Sequence, residues 1–73
     1  MGEEFEIVSK NLAATIKRRR KELGFSQEKF ADEIKVDRTY MSKIERSIGN
    51  PSLQKLVLIA KGLGCSITDL FKE

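Results

Sequence analysis

Apolar residues recur along this chain at helical rather than alternating spacing, and capping residues and glycines break the recurrence into five helix-sized stretches. The first is expected from about Glu6 or Ser9 to Leu23, with Leu12, Ala13, Ile16 and Leu23 on its inner face and Gly24 placed for a left-handed C-terminal cap. Ser26 then offers a side-chain oxygen to the free amides of a second helix, Gln27 to about Ile34, whose Phe30, Ala31 and Ile34 share one face. Phe25 alone separates the two caps, so the first pair of helices must turn sharply against each other. Asp37 is the next N-cap, ahead of a helix from Arg38 to about Arg46 with Met41 and Ile44 inward. Two short amphipathic helices joined by about three or four non-helical residues are the signature of a helix-turn-helix.

Ser47 to Pro51 reads as a loop, and Ser52 caps a fourth helix with Leu53, Leu56, Val57, Ile59 and Ala60 on its apolar face, ended by Gly62 and Gly64. Ser66 and Asp69 form an S-x-x-D pattern at the head of a short terminal helix holding Ile67, Leu70 and Phe71. The expected fold is all-α: five helices in one domain over residues 1–73, with the helix-turn-helix at helices 2 and 3, about residues 27–46.

Composition removes most alternatives to a binding role. The only cysteine is Cys65 and there is no histidine, which excludes an internal disulfide and a Cys/His zinc site. Below roughly 70–80 residues a lone core seldom supplies more than about 3–5 kcal/mol, so a partner subunit is the remaining staple for a chain of 73. The lone thiol, the lack of a signal peptide and the lack of an apolar run of about 18 residues imply a soluble cytoplasmic protein without membrane contact. No cysteine has a base partner and no glycine loop could cradle a phosphate, so neither an enzyme, nor a cofactor, nor a small-molecule ligand is expected. The net charge of +3 is segregated: Glu3, Glu4 and Glu6 precede a basic stretch of Lys10 and Lys17 to Lys21. That stretch either complements the carbonyl end of the first helix or meets a polyanion.

The third helix narrows the choice. Thr39, Ser42, Lys43 and Arg46 follow the spacing i, i+3, i+4, i+7 and form one outward stripe that is wholly polar or basic. A helix in the major groove needs such a face, because base edges present donors and acceptors between walls of phosphate. Its N-terminal residues, here Arg38, Thr39 and Tyr40, reach the bases. Arg38 has the fork for guanine O6 and N7, and Thr39, Ser42 and Lys43 add hydroxyl and ammonium contacts. Tyr40 either joins them or packs over the Asn50-Pro51 loop.

Gln27-Glu28-Lys29-Phe30-Ala31 and Val36-Asp37-Arg38-Thr39-Tyr40-Met41-Ser42-Lys43-Ile44-Glu45-Arg46 resemble the Cro and phage-repressor (XRE-like) class of helix-turn-helix proteins. The resemblance extends from Ile16 through Phe71, and Asp37 to Tyr40 with Ile44 to Arg46 are similar to the controller proteins of restriction–modification systems. It implies a transcriptional regulator that binds a (pseudo)palindromic double-stranded DNA operator as a homodimer. It also implies phosphate contacts from Ser26, Gln27, Arg46 and Asn50, and a structural ion pair between Arg20 and Glu45 behind the recognition helix. Lys35 stands where the class commonly has glycine in a left-handed turn. The dimer surface is expected among Leu53, Val57, Leu63, Ile67, Leu70 and Phe71, since the last two helices carry more apolar residues than so small a core absorbs. The rival readings are a prophage-type repressor and an antitoxin-like protein-interaction module. The module would need apolar anchors along the third helix, where the stripe has none.

Overall fold

The computed structural model describes residues 2–72. Among them the chain forms four α-helices, α1 (Gly2–Glu22), α2 (Gln27–Glu33), α3 (Arg38–Glu45) and α4 (Leu53–Leu63), followed by a 3₁₀ helix at Ile67–Phe71 and no strand. The fifth element therefore differs from the expected α-helix. Its five residues allow little more than one turn, where i→i+3 bonding is readily available. A capping box fixes it: Ser66 Oγ accepts from the Asp69 amide at 3.3 Å, and Asp69 Oδ2 accepts from the Ser66 amide at 3.1 Å. The hydrogen bond from the Ser66 backbone, then Lys72, holds the Asp69 carboxyl below its usual range.

Each helix start follows local chemistry. Ser26, Asp37 and Ser52 accept from the amides of Lys29, Thr39 and Lys55 at 3.1, 2.8 and 3.2 Å. Helix α1 begins earlier than expected, at Gly2, with Glu3 and Glu4 in its first turn where carboxylates favour the amide end of the dipole. Leu23 lies beyond its last residue and is exposed rather than inward.

The four α-helices end alike. Gly24, Lys35, Ser47 and Gly64 adopt φ of 82, 59, 63 and 75°. The next amide in each case returns to a carbonyl five residues back: Phe25 to Arg20, Val36 to Ala31, Ile48 to Lys43 and Cys65 to Ala60, at 2.9–3.2 Å. Lys35 thus takes the left-handed turn without a glycine, as Ser47 does after α3. Gly62 does not end α4 but lies within it. A methyl group there would collide with the Ile34 side chain and press on the Phe30 ring, so the missing Cβ lets α4 close on α2.

Ile16, Phe30, Met41, Ile59 and Leu70 are fully buried and anchor the core, joined by Leu12, Ala31, Val36, Ile44, Leu56, Ala60 and Leu63. Leu63 and Leu70 are therefore spent inside the subunit and unavailable to a dimer surface, and Ile67 is half-buried against the same core. Packing the 3₁₀ helix onto both α1 and α4 draws them in.

Candidate nucleic-acid interface

Helix α3 is set by one buried ion pair. Arg20 Nε donates to Glu45 Oε2 at 2.7 Å and Nη2 to Oε1 at 2.9 Å, a bidentate fork whose side chains are only 7% and 2% exposed. Arg20 Nη1 also donates to the Phe25 carbonyl at 2.7 Å. One guanidinium thus ties α1, the α1–α2 connection and α3 together. The Glu45 hydrogen bonds hold its pKa above the ordinary arginine value, burial opposing them. A second tie, 3.0 Å between Ser9 Oγ and Ser47 Oγ, joins α1 to the turn after α3.

With Met41, Ile44 and Glu45 turned inward, Arg38, Thr39, Lys43 and Arg46 are exposed and Ser42 is half-buried. The stripe expected along α3 is thus presented outward, with Arg46 Nε donating to the Ser42 carbonyl at 3.4 Å. Arg38 and Tyr40, two residues apart, project to opposite sides of the helix. On one side lies α2: Arg38 Nη1 stands 3.5 Å from Glu28 Oε2, an exposed pair of little energetic weight, and Gln27 Nε2 donates to Glu45 Oε1 at 3.2 Å. On the other side lies the first turn of α4, where Lys55 Nζ sits 5.7 Å from the centroid of the Tyr40 ring.

Tyr40 is half-buried against the core, and its hydroxyl is shielded from solvent without a hydrogen-bond partner among the described residues. Its ring meets Lys55 rather than standing on the outward stripe. Ser26 is exposed with its oxygen on the Lys29 amide, Gln27 is half-buried beside Glu45, and Asn50 is exposed in the loop after α3. Lys55 and Glu28 were not singled out by sequence reasoning. Their spacing from the recognition helix carries no local signal, although Lys55 falls three residues after the Ser52 cap, in the first turn of α4.

Leu53, Val57, Leu58 and Phe71 are exposed, the first three lining a cleft together with Lys55. Phe5 and Val8 of α1 line a shallow apolar cleft with Leu12, Pro51, Leu56 and Phe71.

A family model described as helix-turn-helix matches residues 16–70. The chain is 44% identical over 57 residues to Control protein C.MunI of Mycoplasma sp, covering 78% of this chain and 77% of that protein. It superposes at a TM-score of 0.79 and 39% identity on the Restriction-Modification Controller Protein C.Esp1396I, solved as a tetramer in complex with its natural 35 base-pair operator; the match covers 88% of this chain and 84% of that one. The hypothetical transcription factor NHTF from Neisseria superposes at a TM-score of 0.85 and 32% identity, over 89% of this chain and 75% of that one.

Proposed function

The chain belongs to the helix-turn-helix family, and from that premise we propose that it is a sequence-specific DNA-binding transcriptional regulator, working as a homodimer on a palindromic or nearly palindromic operator. The observation that carries the reading is the outward polar and basic stripe of α3, held against α1 by the buried Arg20–Glu45 pair. In this reading α3 enters the major groove. Arg38 forks onto guanine, Thr39 and Ser42 give hydroxyl contacts, and Lys43 reaches a base edge. Tyr40 remains a base-contact candidate only if its ring leaves the Lys55 side.

Arg46 and Asn50 meet phosphates, and Ser26 keeps a hydroxyl proton to donate while its oxygen caps α2. Gln27 uses one amide hydrogen on Glu45 and has the other for the backbone. Two such helices about 34 Å apart fit successive major grooves. The dimer is held through Leu53, Val57 and Phe71 with the exposed edge of Ile67. Likeness to C.MunI and C.Esp1396I supports the narrower role, an autoregulatory controller of a restriction–modification operon acting in the cytoplasm by binding alone.

Selection of bound sequences from a random duplex pool tests this. The intact chain enriches an inverted repeat whose half-site centres are about one helical turn apart, and Arg38→Ala loses discrimination at one position by about 1–3 kcal/mol. Enrichment of no sequence at any salt concentration would favour the protein-interaction module instead.

A further inference from the structure

We propose that Lys55 holds a backbone phosphate of the bound duplex on the flank of α3 opposite α2, an inference that rests on the DNA-binding reading above. A helix with its side chains is about 10–12 Å across and the major groove about 12 Å wide, so a docked α3 has a sugar–phosphate strand along each side. The α2 side is already furnished, since Gln27 reaches Glu45 there, Glu28 reaches Arg38, and Ser26 caps the same helix. The other side is built from α4. Lys55 closes a cleft with Val36, Asp37, Thr39, Tyr40 and Lys43, and two of these six residues carry ammonium groups.

The one carboxylate in that cleft, Asp37, accepts from the Thr39 amide at 2.8 Å, and no carboxylate lies within ion-pair distance of Lys55 among the described residues. Lys55 is half-buried and its ammonium lies near the Tyr40 ring, so less side-chain freedom remains to be lost when a phosphate arrives. Thr39 and Lys43 of the recognition stripe border the same space, so strand and base edge are gripped from one cleft. Tyr40 acts here as the support that sets the position of the lysine.

The test is the salt dependence of binding by Lys55→Gln, measured on the selected operator and on a random duplex, with Lys55→Arg as the charge-preserving variant and circular dichroism as the check on folding. A lost phosphate contact makes the slope of log K against log salt shallower by about 0.9. Lys55→Gln is expected to show that change on the operator and to weaken both duplexes by a similar factor, leaving the operator preference intact; Lys55→Arg keeps the parent slope. A folded Lys55→Gln with the parent slope overturns the inference while leaving the DNA-binding reading standing. Binding without any sequence preference overturns operator recognition, yet a shallower slope on the random duplex still supports Lys55. Absence of duplex binding by the intact chain overturns both.

Discussion

Arg20 makes three charge-assisted hydrogen bonds inside the subunit, two to Glu45 and one to the Phe25 carbonyl, and removing either member of the pair strands the other charge away from water. Arg20→Ala and Glu45→Ala are each expected to cost about 3–5 kcal/mol, close to the whole stability of so small a domain, and the double variant less than their sum. Urea titrations of the three variants give the comparison directly, and additive losses would mean that the two side chains do not act as a pair. Because the arginine pKa is raised, its contribution is fully present below the ordinary arginine value and disappears only as pH rises past the higher folded one, so it persists across the working pH range. Little of this was legible locally. Arg18, Arg19 and Arg20 look alike in the sequence; only the shared helical phase of Arg20 with Ile16, one turn away, marks it as inward. Its partner 25 residues on came from the family resemblance alone. Tyr40 was equally illegible, since its destination depends on where the first turn of α4 lies.

Helix starts were readable because a cap is a local device: the side-chain oxygen and the amide it accepts from lie two or three residues apart, as at Ser26, Asp37, Ser52 and Ser66. The first described residues of α1, Gly2 to Phe5, include no Ser, Thr, Asp or Asn, so no local signal marks its start. Glycines were harder to read, because a turn at Gly64 and a close approach at Gly62 leave the same letter in the sequence. The shared helix ending supplies a prediction of its own. Lys35 and Ser47 hold the left-handed conformation at about 1–2 kcal/mol each, partly offset by the larger entropy a glycine would lose on folding. Lys35→Gly should therefore stabilise the domain by about 0.5–1 kcal/mol, a rise in Tm of about 2–8 °C at fixed protein concentration, whereas Ser47→Gly gains less because it also removes the 3.0 Å hydrogen bond to Ser9. Thermal unfolding followed by circular dichroism reads this, and a lower Tm would show that the side chains at these turns contribute more than their backbone strain costs.

For the molecule as a whole, an apolar surplus on the last two elements was visible in the sequence, but its division between core and surface was not. Leu63 and Leu70 fill the interior because the 3₁₀ helix folds back across α1 and α4, whereas Leu53, Val57 and Phe71 remain outside. That division depends on tertiary placement, which periodicity alone does not encode. Val57 is 47% exposed and stands among the apolar residues of α4 that the dimer would cover. Val57→Glu is expected to weaken self-association by about tenfold or more, since the loss is counted twice in a symmetric pair, and to lower operator affinity with it. Sedimentation equilibrium over a concentration series measures the first effect; an unchanged association constant would move the interface elsewhere.

The buried clamp at Arg20 separates two kinds of position. Glu45 and the Phe25 carbonyl belong to its frame, while Arg38 and Thr39 stand outside it with their side chains in solvent. On the proposed reading, the side chains that meet the bases are therefore interchangeable in a way that the frame is not: a lineage, or a designer, could rewrite the operator preference one exposed side chain at a time on an unaltered scaffold.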